Sequence, residues 1–302
     1  MTTLQSIADE IDLSNDHAVA VAAAADSAVL EAISLALEQN LASFHLYDDE
    51  TTLKQLILTD FPHLTDHPKL TIHHAKGPQQ AAKEAVRAVF HNDATVLMKG
   101  HIPTAILMKA ALNAEYGLRT GKVLSHVAAF EVAGYDRLIF VTDAGMNLEP
   151  TLQEKAQIIR NAVHVARSVG VDTPVVAALA AVEVINPAMQ ATLNAAALMG
   201  MNKRGQITDC IVDGPLALDN AISTEAAKHK GIDGDTAGNA DILLVPNIEA
   251  GNILYKSLVY FSKAKVGGII AGAKAPIVLT SRADSAESKL FSLAIALRSA
   301  AL

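Results

Sequence analysis

The chain has no tryptophan, and its aromatic residues make up only 4% of the sequence. That scarcity argues against a β-sandwich and for helices packed closely on a sheet, because alanine is abundant. It has a single cysteine, Cys210, which excludes an intrachain disulfide and a thiolate metal cluster and fits a reducing cytoplasm. Long apolar runs are missing, and the opening MTTLQSIADEID has neither the basic nor the apolar region of a secretion signal. The expectation is therefore a cytoplasmic protein with no membrane association. Basic clusters are absent as well: Lys and Arg number 24 against 32 Asp and Glu, a formal net charge of -8. That balance excludes nucleic acid as the principal partner, since phosphate neutralisation needs a basic excess. No GxGxxG follows the first strand, which disfavours a dinucleotide enzyme, and no GxSxG elbow supports an acyl-serine hydrolase. There is no tandem repeat and no low-complexity linker.

What is present is a chain of 302 residues, 51% of them hydrophobic, long enough for a large core divided between two lobes. Strand-like and helix-like segments alternate almost from end to end, the pattern of a parallel sheet with crossover helices. Strands are expected at HAVAVAA, ASFHLY, KLTIHHA, ATVLMKG, KVLSHVAAFEV and RLIFVTD, then at PVVAALAAVEV, QITDCIVDG, ADILLVP and KVGGIIAGAKAPIVLT. Asp26 or Ser27 caps a helix whose apolar face carries Leu30, Ile33, Leu37 and Leu41. Thr151 with Glu154 forms a capping box before a second amphipathic helix.

Several expected strands end in a polar residue just before a helix, where open α/β proteins bind ligands. These residues are Lys99, Asp143, Asp213, Asn247, and Ser281 with Arg282. Asp143 and Asp213 equally suit local turns and caps. Asn252 reads as a helix N-cap, at a helix start whose N–H groups also suit phosphate. Arg282 either holds an anion or pairs with Asp284, and Asp284 is wanted as the N-cap of the last helix, with Glu287 three positions on. The His63/His67 spacing in PHLTDHP imitates a metal pair, but the flanking prolines and the missing glutamate argue against one, and no metal site is expected. His73 and His74, adjacent on a strand, point to opposite faces, and one suits the core. GLRTGKV reads as a turn, and Cys210, on an expected strand, as core packing.

The segments DGPLALDNAIS, ADILLVPNIEAGNILYKSL and PIVLTSRADSAESKL resemble the second half of the phosphate acetyltransferase and phosphate butyryltransferase family. LMKGHIPTAILMKAALN and VTDAGMNLEPTLQEKAQI are similar to its first half, and APIVLTSRADS resembles the butyryl branch more than the acetyl branch. The resemblance implies reversible exchange of acyl-CoA plus phosphate with acyl phosphate plus CoA, with no separate cofactor. It implies two α/β domains of the isocitrate/isopropylmalate dehydrogenase-like type, a cleft between them and a homodimer. We set the first domain at 1–142 plus 269–302 and the second at 143–268. By the same resemblance Ser281 and Arg282 match the catalytic Ser-Arg pair: the arginine for phosphate or thiolate, the serine for the developing oxyanion. Lys109 stands where the family has an arginine, and Lys99, Lys109 and Asn252 are the expected substrate-binding positions. Ser288 occupies the position of a carboxylate proposed in the acetyl enzymes to deprotonate CoA, which leaves Glu287 or Asp284 as possible bases. The alternatives are a phosphate acetyltransferase, an NADP-linked decarboxylating dehydrogenase on the same fold, and a non-catalytic acyl-CoA-binding sensor.

Overall fold

The computed structural model describes residues 2–11, 17–232, 236–279 and 284–302. Two compact units divide the chain: Gln5–Lys122 with Gly267–Leu302, here the first unit, and Met1–Leu4 with Val123–Val266, the second. The sequence expectation put this division at 142/143 and 268/269.

In the first unit, β1 (Ala18–Ala22), β2 (Ser43–Asp48), β3 (Leu70–His74) and β4 (Val96–Lys99) follow one another with helices between them. β1 pairs in parallel with β2 on one side and with β4 on the other, and β2 pairs in parallel with β3. The core strands are small and apolar: Val19, Ala20 and Val21 are fully buried, as are Phe44 and Leu46 on β2. Helix Ser27–Glu38 starts at Asp26, whose side chain accepts from Val29 N, and buries Leu30, Ile33 and Leu37 as its periodicity predicts.

The second unit opens with β5 (Ser125–Glu131) and β6 (Ile139–Thr142), an antiparallel pair. This hairpin keeps residues 123–142 with the strands that follow. β7 (Val175–Leu179), β8 (Ile211–Leu216) and β9 (Ile242–Leu244) complete the unit, with β9 parallel to both β6 and β7, and β7 parallel to β8. The capping box at Thr151 and Glu154 forms as expected and starts helix Leu152–Ser168. Cys210 lies just outside β8 rather than on it, and it is buried.

The chain returns to the first unit along β10 (Lys265–Ala271) and β11 (Ile277–Val278). The long apolar stretch expected as strand is thus two strands, antiparallel to each other because residues 272–276 reverse the chain, and β11 runs parallel to β4. The fold is mixed α/β with mostly parallel pairing, and β5/β6 and β10/β11 are antiparallel. Helix Ala286–Ala300 is buried from Lys289 through Leu297. It lies directly on β10: a side chain at Gly267 would come within 2.8 Å of the Phe291 backbone.

Candidate active site

The first unit has a topological switch point. From β1 the chain builds outward through β2 and β3, then crosses to the other side of β1 for β4. Such a reversal opens a crevice at the carboxyl ends of the two strands, the usual ligand position in open α/β sheets. Here those ends touch. Gly100 N donates to Ala22 O at 2.8 Å and His101 N to Ala23 O at 2.7 Å. A Cβ at Gly100 would stand 2.0 Å from Ala23 O, so only glycine fits. Across the same edge, His101 Nδ1 and Asp26 Oδ2 are 3.0 Å apart.

Lys99 ends β4 opposite Ala22, is 8% exposed, and its Nζ donates to Gly100 O at 3.1 Å. Lys99 thus ends its strand as the sequence suggests, next to a strand-end contact that only glycine allows. Lys109 is exposed in the last turn of helix Thr104–Ala111, which begins four residues after Gly100. β11 stops at Val278, opposite Met98 and one residue short of the level of Lys99. Ser281 and Arg282 lie outside the described residues. Just past them, the N-cap of helix Ala286–Ala300 is Ser285, accepting from Ser288 N, and not Asp284 as expected. Asp284 is instead held by its carbonyl, which accepts from Lys289 Nζ. Glu287 is exposed in the first turn, where a carboxylate complements the helix dipole.

The polar strand ends of the second unit have different jobs. Asp143, 3% exposed, is a turn organiser: Oδ1 accepts from Gly145 N (2.9 Å) and Met146 N (3.0 Å), and Oδ2 from Asn147 N (3.1 Å) and Asn147 Nδ2 (2.6 Å). With every lone-pair direction used locally, it has no capacity left for a ligand. Asp213 likewise accepts from Gly214 N at 2.8 Å and from Thr236 Oγ1. Asn247 is the N-cap of helix Ile248–Tyr260, accepting from Ala250 N. Asn252, expected as a cap, sits inside that helix and is exposed.

The remaining motif residues are structural. His63 Nε2 is 2.7 Å from Ser34 Oγ, and His67 Nδ1 accepts from Lys69 N. His73 stacks on Tyr47 with ring centroids 4.6 Å apart and lies 3.0 Å from His45 Nδ1, while His74 accepts from Glu50 N. Burial, with a smaller contribution from His45, pulls the His73 imidazole below its usual pKa. In the GLRTGKV turn, Thr120 Oγ1 donates to Gly272 O. Burial pushes the Cys210 thiol up to about 11.

Three residues escaped the sequence reading. Gly100 gave only a glycine beside a strand, with nothing to reveal its neighbour. Lys289 and Lys155, 3% and 5% exposed, look like ordinary polar helix positions until the burial is known. A lysine falling on the otherwise apolar face of a helix is the one available signal.

Together these units make a two-part α/β protein of the dehydrogenase-like kind, with a cation-bearing switch point in the first unit. A solved 4-hydroxythreonine-4-phosphate dehydrogenase from Klebsiella pneumoniae shares that fold at a TM-score of 0.55 and 12% identity, over 95% of this chain and 100% of that one. The family model for phosphate acetyl/butaryl transferase matches residues 47–297, and the chain belongs to this family. A Bacillus subtilis protein described as "Probable phosphate butyryltransferase" is 56% identical over 294 residues, 97% of each chain. The crystal structure of a branched-chain phosphotransacylase from Enterococcus faecalis matches with a TM-score of 0.84 and 37% identity, covering 94% of this chain and 99% of that one. The protein is accordingly an enzyme, a phosphate acyltransferase that exchanges an acyl group between CoA and phosphate.

Proposed function

We propose that the acyl group is short and larger than acetyl, with four or five carbons, straight or branched. Phosphate oxygen attacks the thioester carbonyl, the C–S bond breaks, CoA leaves as the thiolate, and acyl phosphate is released. The reverse reaction follows the same path. Negative charge grows on the carbonyl oxygen and then on sulfur, so the site needs donors aimed at both. Arg282 takes the phosphate or thiolate charge, Ser281 donates to the oxyanion, and Lys99, Lys109 and Asn252 bind the substrates' anionic or polar groups. The observation that carries this assignment is β11, which ends beside Met98 at the switch-point edge, three positions before Ser281. The names of the relatives favour butyryl and branched-chain groups over acetyl. Each further CH₂ buried contributes about 0.8 kcal/mol, or several-fold in specificity per carbon. The test compares kcat/KM for acetyl-, propionyl-, butyryl- and isobutyryl-CoA. A butyryl or isobutyryl optimum supports the reading, and an acetyl optimum overturns it.

We further propose a cytoplasmic homodimer that needs no dissociable metal or organic cofactor. Among the described residues no helix is long and apolar enough to cross a membrane. The second unit exposes Ile253 (66%), Tyr260 (60%) and Phe261 (88%) on and just after one helix, which suits burial against a second copy. Sedimentation should give twice the chain mass of 31.7 kDa, and treatment with EDTA should leave turnover unchanged.

A further inference from the structure

The second unit contains a cleft of about 590 Å³ at the carboxyl edge of its parallel strands. The starts of helices Leu152–Ser168 and Gln190–Lys203, and the Asn247 cap of helix Ile248–Tyr260, all line it. Lys155 also lines it, 5% exposed. Its ammonium makes no hydrogen bond and no ion pair among the described residues. An ammonium that opens onto this cleft with no protein partner is suited to an anion that arrives from outside. Burial pulls the Lys155 pKa down and the nearby Glu149 carboxylate pulls it back up.

The rest of the lining sets a few donors among apolar residues, Pro150, Leu152, Ala191 and Pro246. Asn247 uses its side-chain oxygen on Ala250 N, and Asn194 uses its oxygen on Gln190 Nε2, so both amide nitrogens remain to donate. The helix at Gln190 has no side-chain cap, and the backbone N–H groups of Gln190 and Ala191 have no acceptor among the described residues. The start of helix Gln190–Lys203, with no acidic residue in its first turn, adds its positive dipole end, whereas Glu154 and Glu249 already occupy the first turns of the other two helices. Glu149 is the exception, a carboxylate that opposes an anion in the cleft and competes for the Lys155 charge.

We propose that this cleft is a phosphate-binding site in which Lys155 is the charged ligand, taking either inorganic phosphate or a phosphate group of CoA. The identity of the anion rests on the transacylase reading, while the existence of the site rests on the buried lysine and the donors around it.

Equilibrium dialysis with radiolabelled inorganic phosphate, and calorimetric titration with CoA and with 3′-dephospho-CoA, separate the sources. Lys155→Met keeps the stem and removes the charge. It should weaken either phosphate or CoA by at least about tenfold, the effect of one lost charge-assisted hydrogen bond. It should also melt no lower than the parent, since a buried charge has been removed. A loss confined to CoA and absent for 3′-dephospho-CoA assigns the site to the 3′-phosphate. Glu149→Gln removes the opposing carboxylate and should tighten the same ligand several-fold. If Lys155→Met does not fold, Glu149→Gln decides alone. Binding of phosphate and CoA within twofold of the parent in the folded variants overturns the proposal. Lys155-dependent binding in a parent protein that makes no acyl phosphate would uphold the site and contradict the transacylase reading.

Discussion

Gly100→Ala should be the most damaging single-methyl change at the switch point. The added Cβ would lie 2.0 Å from Ala23 O, 2.7 Å from Ala23 C and 2.8 Å from Ala22 O, all backbone atoms at or just past the end of β1. Ordinary carbon contacts begin at about 3.5 Å, so β1 and β4 must part by more than about 1 Å at their ends. Overpacking of this kind costs roughly 1–3 kcal/mol. The movement also breaks or lengthens the bonds from Gly100 N to Ala22 O and from His101 N to Ala23 O, each worth about 0.5–1.5 kcal/mol. Reduced freedom of the unfolded chain returns about 0.4–1 kcal/mol. The net is a loss of about 1–5 kcal/mol, a fall in Tm of roughly 2–20 °C. Gly145→Ala is the control, because its Cβ would meet only His126 side-chain atoms at 3.7 Å, an ordinary contact. Urea unfolding and calorimetry of both variants, with kcat and KM for phosphate and acyl-CoA, measure the effect. A Gly100→Ala protein as stable and active as Gly145→Ala would refute the claim that the two strand ends are held together at this point.

Arg282→Gln should lower turnover by roughly 10² to 10³, as removing one oxyanion-type donor does, with the circular dichroism spectrum unchanged; near-normal activity would remove Arg282 from the mechanism. Because a thiol with a pKa near 8.5 is already a few per cent thiolate at about pH 7, no dedicated base is needed. Glu287→Gln and Asp284→Asn should therefore keep at least about a tenth of parent activity, and a thousandfold loss in either would identify a carboxylate base. Burial raises the Asp241 carboxyl above its usual range, so the folded state binds protons more tightly there than the unfolded chain. Stability from this group is therefore fully present below the ordinary carboxylate pKa of about 3.9 and is lost as pH rises through the raised value. Asp241→Asn, which keeps an acceptor for Val175 N, should raise Tm at neutral pH with a gain that vanishes in acid; a lower Tm at neutral pH would contradict this. Cys210, buried and with its thiol up to about 11, should not react with Ellman's reagent in the native protein at neutral pH, and should react fully after denaturation.

Local signals carried much of this architecture into the sequence. The Asp26 cap and the Thr151–Glu154 box are legible because each is settled within four residues. The strand segments are legible because β-branched and apolar runs alternate with helical periods. Strand direction is not so local: nothing in KVGGIIAGAKAPIVLT states that residues 272–276 reverse the chain, nor that β5 and β6 form an antiparallel pair. Cap assignment failed where two candidates stood side by side, Asp284 beside Ser285 and Asn252 five residues after Asn247. The choice there depends on the backbone angles at which the helix begins, which tertiary packing fixes. The polar strand ends were legible in the sequence, but the different partners each one takes were not. Asp143 spends its carboxylate on its own turn, whereas Lys155, four residues into a helix, is buried beside a cleft by elements 35 to 92 residues away in sequence.

The exchange itself is the most direct measurement. Protein, butyryl-CoA and inorganic phosphate are mixed, free thiol is followed continuously, and acyl phosphate is trapped with hydroxylamine at intervals. The account predicts thiol release that requires phosphate, with one acyl phosphate formed for each CoA freed, and reversal when butyryl phosphate and CoA are supplied instead. Thiol release that proceeds equally without phosphate, or that yields free butyrate and no acyl phosphate, would make the protein a thioesterase and contradict the account.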